Sequence, residues 1–310
     1  MGFKNPMITL LAGDASTRKY YRVTSLDKSL IFMKCDPFNN DDANVRSLEA
    51  YSGMGINVPE VYELFPELGV LVQEDIGDLH LQNIKDKGLL KKYYKDVVDM
   101  LIKFQRQALA HEKNGKKIYP NSISFTKEKF MSELNMTTEF YIEKLNNKKI
   151  SHNKKDILQK LYTDIVDRMM QQPTLLQHRD YHSRNLMIYK DSVYMIDIQD
   201  SRQGPFTYDI ASLVIDPYID LDNKLYEEMI GSYYDGIKDV IGCSHKEYLR
   251  YYDLCFIQRG IKILGTFAYQ KTEKGNSGYL KYIPISIEKL KKTCTRFPEW
   301  QKTVNEEILI

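Results

Sequence analysis

The chain has 310 residues, with 44 Lys and Arg set against 42 Asp and Glu for a net charge of +2. That balance leaves no bulk field for gripping nucleic acid, and the length suits one large domain or two lobes with a full core. No apolar run approaches the ~18 residues of a membrane span, no leader opens the chain, and Cys35, Cys243, Cys255 and Cys294 have neither metal-ligand nor disulfide-framework spacing. A soluble, cytoplasmic protein is expected.

In chain order, 7–11, 19–23 and 30–34 read as strands separated by small-residue turns. The loop with Gly13, Asp14 and Ser16 suits phosphate cover through backbone N–H groups. Lys34, ending the third strand, suits neutralisation of α/β-phosphates. A plain hairpin with a solvated lysine explains the same letters. Residues 44–54 carry Val45, Leu48 and Tyr51 at helical spacing. Glu49 lies on this helix either as the partner of Lys34 or facing solvent. Strands at 61–64 and 69–73 follow, and at 74–78 the composition turns from strand to loop, dividing a nucleotide-binding lobe (1–75) from a catalytic and acceptor-binding lobe (76–310).

From 88 onward the pattern is helical. Leu90, Tyr94, Val97, Leu101, Phe104 and Ala108 keep a spacing of three to four residues. Helices are expected over 125–147, 154–171, 222–240, 246–271 and 282–298, and Tyr93, Tyr94, Phe140 and Tyr141 are assigned to the core. Asp209 stands where an apolar helix starts. It is either a helix cap or a brace accepting N–H bonds from the loop before it.

That loop carries the chemistry. His178-Arg179-Asp180 is followed at the fifth position after Asp180 by Asn185, and then by a strand ending in Asp197. Four fixed letters at such spacing arise by chance on the order of once per 10⁵ to 10⁶ starts. They form the catalytic loop and metal-binding Asp of kinase-fold phosphotransferases. A hairpin pivoting on Asp191 is expected to set Asn185 opposite Asp197, pairing two hard oxygen donors for Mg²⁺. Asp180 would orient or accept the proton of an attacking hydroxyl, with His178 and Arg179 as loop braces. His182 takes the place of the lysine in H-R-D-L-K loops. It either contacts the γ-phosphate or acceptor hydroxyl, or packs on Tyr181.

With these residues in place the chain resembles the aminoglycoside phosphotransferase/choline kinase superfamily, since no Ala-Pro-Glu segment follows and Gln199 replaces the glycine of Asp-Phe-Gly. More narrowly, 13–22, 74–78, 178–187, 196–200 and 204–213 are similar to the bacterial anomeric N-acetylmuramate/N-acetylglucosamine kinases. The similarity covers about 11–217. It implies an α+β, two-lobed protein-kinase-like fold, with a small antiparallel sheet and one helix before a larger helical lobe. It further implies ATP and Mg²⁺ as cofactors, adenine docking on the main chain near Glu74 and Ile76, and transfer to the C1 hydroxyl of a cell-wall amino sugar. Two other readings stay open. One is a kinase for an aminoglycoside, choline or amino alcohol, with Asp216, Asp220 and Asp222 as an acidic pocket or as a solvated helix entry. The other is a pseudokinase, against which the joint presence of Asp180, Asn185, Asp197 and Lys34 argues.

Overall fold

The computed structural model describes residues 4–11, 18–26, 28–39, 42–115 and 123–309. Gly13, Asp14 and Ser16 lie outside the described residues. The chain forms two compact units, 1–122 with 184–201 and 123–183 with 202–310.

The first unit is built on a five-stranded antiparallel sheet. Its strands β1 (Met7–Leu10), β2 (Lys19–Ser25), β3 (Lys28–Lys34), β4 (Val61–Phe65) and β5 (Val70–Glu74) lie in the order β1-β2-β3-β5-β4. Helix α1 (Ala43–Gly53) starts at Asp42, whose carboxylate accepts the Asn44 N–H at 2.9 Å, and buries Val45, Leu48 and Tyr51. The period-two alternation of β3 buries Ile31 and Met33, and the Met33 sulfur accepts from Asn44 Nδ2 of α1. Lys34 is one step out of phase. It is exposed, and its ammonium donates to the Leu68 and Cys35 carbonyls. Glu49 is exposed on α1. The expected Lys34–Glu49 pair is therefore not formed, because the strand face that meets α1 belongs to Met33.

Helix α2 (Lys87–Lys113), capped by Asp86, buries Tyr94, Val97, Leu101, Phe104 and Ala108, the stripe its spacing predicts. A hairpin of β7 (Leu186–Tyr189) and β8 (Ser192–Met195) completes the unit; β6 belongs to the other unit. It turns on two residues, Lys190 and Asp191, both left-handed at φ 48° and 55°, as a type I′ hairpin requires. The register is one residue away from the expected pivot. Leu186 faces Met195, and the Ile196 N–H bonds the Asn185 carbonyl at 3.1 Å. Asn185 thus lies opposite Ile196, and not opposite Asp197.

The second unit is mostly helical: α3 (Lys127–Met136), α4 (His152–Met169), α5 (Tyr208–Ile215), α6 (Asn223–Ile241), α7 (His245–Thr272), α8 (Ile283–Cys294) and α9 (Pro298–Thr303). These match the periodic segments to within a few residues, except that the segment read as one helix over 125–147 changes form. After α3 the turns widen over Thr137–Leu145. There Thr137 Oγ1 donates to the Ile261 carbonyl of α7 at 2.6 Å, and a Cβ on Gly265 would come within 2.6 Å of the Thr137 nitrogen. Only glycine lets the two backbones approach so closely. Helix α7 opens with a Ser244/Glu247 capping box and buries most of its circumference from Tyr252 to Ile261. A short strand pair that periodicity did not announce, β6 (Thr174–Gln177) with β9 (Arg202–Pro205), leads into the catalytic-loop motif. Tyr93, Tyr94, Phe140 and Tyr141 are buried, as core.

Candidate active site

The loop after β6 is held from below by α5. Asp209, in the first turn of that helix, accepts the His178 N–H at 2.6 Å on one oxygen and the Arg179 N–H at 3.0 Å on the other. The brace reading of Asp209 is the one the structure adopts, and the cap position is Thr207. Beyond the end of α5, Asp216 accepts the Ser183 N–H at 2.7 Å and the Tyr218 N–H at 2.8 Å. Two buried carboxylates thus fix the main chain at 178–179 and at 183. Arg179 between them takes φ 84°, a conformation that costs of order 1–3 kcal/mol and persists only where the surroundings impose it. Arg259 of α7 helps impose it by donating to the Arg179 carbonyl at 2.8 Å. His178 is 1% exposed and packs edge-on against Tyr181, a brace as expected.

The result is Asp180 presented among cations. Its oxygens lie 3.6 Å from Arg259 Nη2, 3.8 Å from Lys262 Nζ and 3.9 Å from Arg179 Nε. Burial alone would raise its pKa, but Lys262, Arg179 and Arg259 together outweigh it and hold the carboxyl well below the usual carboxylate range. Glu133 of α3, itself buried, balances the cations at 3.4 Å from Lys262 Nζ and 3.7 Å from Arg179 Nη2. For Asp209 the outcome is opposite: burial raises its pKa to about 6 against the pull of His178, Arg259 and the two N–H bonds.

His182 packs on Tyr218 at 5.7 Å between ring centroids, so the anticipated packing on Tyr181 is made by His178 instead. Burial lowers the His182 pKa while Asp216 and Asp180 oppose the change. The ring is therefore neutral at neutral pH, and its buried Nδ1 has no hydrogen-bond partner among the described residues. Asp216 and Asp222 are occupied as backbone acceptors, Asp222 as the cap of α6. Asp216 is buried as a loop brace and Asp222 caps a helix, so neither an acidic pocket nor a solvated helix entry describes Asp216.

In the first unit, Asn185 and Asp197 come from the two neighbouring ends of the β7–β8 hairpin. Asp197 takes φ 61°, which breaks the strand alternation just where its carboxylate would otherwise follow the pleat. One of its oxygens accepts from Gln199 Nε2. Tyr20 and Arg18 share its surroundings. Burial pushes the Tyr20 hydroxyl up to about 12, with Arg18 opposing and Asp197 adding to the rise. Glu74 ends β5 and Ile76 lies just beyond it, with the Glu74 N–H bonded to the Glu60 carbonyl at 2.8 Å and Ile76 buried. Arg22 closes over this stretch, bonding Asp75 at 2.7 and 2.9 Å and Asp78 at 2.7 Å.

A carboxylate kept ionised in a cation ring, on a loop followed by Asn and Asp, is a constellation for phosphoryl transfer. Residues 8–239 match the model of the phosphotransferase enzyme family. The chain belongs to that family. The phosphotransferase is 24% identical over 94% of its length to an N-acetylmuramate/N-acetylglucosamine kinase of Neisseria meningitidis, covering 87% of that protein. It is 26% identical over 93% of its length to one from Pseudomonas aeruginosa, covering 84% of that chain. Its fold is that of a choline/ethanolamine kinase family protein from Mesorhizobium loti, with a TM-score of 0.62 at 12% identity over 97% of this chain and 92% of the other. This is the kinase-like α+β class expected, and the chain is an ATP-dependent phosphotransferase. No helix among the described residues is long and apolar enough to cross a membrane.

Sequence reasoning missed the residues that tune Asp180. Arg259 and Lys262 lie three apart on one face of α7, inside the run 254–264, where Gln258 is the one other polar side chain. Two cations at helical spacing in a segment that must be buried are a detectable signal, since burial of unpaired charge is costly. Glu133 carried no comparable mark.

Proposed function

We propose that the phosphotransferase moves the γ-phosphoryl group of ATP to the anomeric hydroxyl of N-acetylmuramate or N-acetylglucosamine, in the cytoplasmic recycling of cell-wall sugars. The observation that carries this reading is the ring of Arg179, Arg259 and Lys262 around Asp180. It suits an uncharged or anionic acceptor and opposes an aminoglycoside, choline or amino alcohol, whose cation would meet like charge. The names of the curated relatives point the same way.

In this reading Asp180 accepts a hydrogen bond from the C1 hydroxyl and aims its oxygen at the γ-phosphorus. A carboxylate of such low basicity is a weak base in the ground state. It takes the proton late, once the hydroxyl has begun to bond to phosphorus and its acidity has risen. Neutral His182 meets the acceptor hydroxyl or a γ-phosphate oxygen. Residues 1–75 take the nucleotide. The loop of Gly13, Asp14 and Ser16 covers the phosphates, Lys34 adds charge without Glu49 as its partner, and the main chain near Glu74 and Ile76 meets adenine. Residues 76–310 supply the acceptor site and catalytic loop.

Asn185 and Asp197 are hard oxygen donors suited to Mg²⁺. No group of three or more His, Cys, Asp and Glu among the described residues forms a closed metal cage. That fits an ion completed by phosphate oxygens and water, as magnesium prefers. When bound, it draws charge from the β- and γ-phosphate oxygens.

The test is ADP release with Mg-ATP across N-acetylmuramate, N-acetylglucosamine, choline and kanamycin, with ³¹P NMR of the product. An anomeric phosphate is the expected result. Turnover of choline or kanamycin alone would sink the reading.

A further inference from the structure

The positive charge around Asp180 extends further than phosphoryl transfer to a neutral hydroxyl requires. Lys129 sits in the first turn of α3, four residues before Glu133, so the two share one helix face a single turn apart. Glu133 touches Lys262 and Arg179, the cations that flank Asp180. The chain just before α3 is tied to β9 by the Phe125 N–H to Gln203 carbonyl bond at 2.8 Å. The Arg202 guanidinium lies over the Phe125 ring at 5.2 Å. Arg202 is itself in register with Gln177, the residue before His178. Lys129 therefore stands on the same side of the unit as the catalytic loop.

Four cations (Lys129, Arg179, Arg259, Lys262) thus gather around three carboxylates, Asp180, Glu133 and Asp209. The Lys129 ammonium is half-buried and meets no carboxylate within ion-pair distance among the described residues. Burial and Arg179 push its pKa down, with Glu133 opposing. A desolvated surplus of one sign is unfavourable until an opposite charge completes it.

We infer that Lys129 binds a carboxylate carried by the acceptor, so that the enzyme selects an anionic amino sugar over its neutral counterpart. The inference rests on the sugar-kinase reading above and sharpens it. N-acetylmuramate differs from N-acetylglucosamine by a lactyl ether on the C3 oxygen. Its carboxylate projects away from the reacting C1 hydroxyl, so a cation one helical turn from Glu133, the residue that bridges Lys262 and Arg179 beside Asp180, is suitably placed. Lys129 is then a specificity residue that leaves the transferred group untouched.

Steady-state ADP release from the full chain with Mg-ATP tests this, using both sugars with wild type, Lys129→Met and Lys129→Arg. Met keeps the aliphatic stem and Arg keeps the charge. Wild type should favour N-acetylmuramate. In Lys129→Met the ratio of kcat/KM for the two sugars should fall about ten-fold, the size of one charge-assisted hydrogen bond, mostly through KM. Lys129→Arg should retain most of the ratio, and added salt should erode the wild-type preference. An unchanged ratio in Lys129→Met, including an equal loss on both sugars, would overturn the inference while leaving the sugar-kinase reading intact. Turnover of neither sugar by wild type would remove that reading itself.

Discussion

The mouth and the base of the catalytic loop each hold a carboxylate near Arg259, and the two titrate in opposite directions. At the mouth, Asp180 faces three side-chain cations and stays ionised far below the usual range. At the base, Asp209 is wholly buried, receives two backbone N–H groups, and is pushed up to about 6. At Asp209 the two amides together with His178 and Arg259 do not offset the cost of burial, whereas at Asp180 three close side-chain cations do. One carboxylate is built to carry charge toward a substrate, the other to hold the main chain still.

Replacing Asp180 by Asn is expected to have the largest effect. The loop keeps its bonds to Asp209 and Asp216, so its main chain stays in place; the melting temperature should fall modestly as the three cations lose a counter-charge, while kcat falls about 10²-fold or more. A kcat within a few-fold of wild type would place the working group elsewhere. Asp209→Ala should show the converse pattern. It leaves the His178 and Arg179 N–H groups buried without acceptors, at about 1–3 kcal/mol each. Chemical denaturation should register a stability loss of that order, with activity falling as a consequence of loop disorder.

The third change is smaller and tests the origin of the contrast. Lys262→Met removes one cation from Asp180 and should move its pKa toward the ordinary carboxylate value, a rise that an NMR titration of that carboxyl reads directly, while the acid limb of activity stays where Asp209 sets it. That limb should lie near pH 6, where Asp209 protonates and its hold on the two N–H groups weakens. The stability terms run in different senses. Asp209 has a raised folded pKa, so its burial cost is full above about pH 6 and fades as pH drops toward the usual carboxylate value of 3.8. Asp180 has a depressed folded pKa, so its stabilisation is present above the usual value and is lost only in stronger acid. A wild-type acid limb that survives Asp209→Asn unchanged would break this assignment.

Much of this was legible in the letters because it is local. The loop motif, the α2 stripe and the hairpin depend on periodicity and turn chemistry, and they fell where expected. The hairpin register missed by one residue because Lys190 and Asp191 both adopt left-handed φ, a choice that residue types alone leave open. The Lys34–Glu49 pair failed because strand phase, fixed by Met33 against Asn44, outranks chain order. Glu133, Arg259 and Lys262 converge on one carboxylate from helices 126 and more residues apart in the chain, counted from Glu133 to Arg259. No local pattern encodes such a meeting.

Gly265 gives that meeting its dimensions. With no side chain there, the backbone of α7 rests against Thr137, just past the end of the helix that carries Glu133. The separation between Glu133 and Lys262 is thus set by main chain against main chain rather than by the reach of flexible side chains. A single added methyl at 265, uncharged and set against Thr137 and Met136, would act as a shim that retunes the acidity of Asp180. Variation among relatives of this enzyme can therefore adjust its chemistry through spacing alone, with every charged residue left in place.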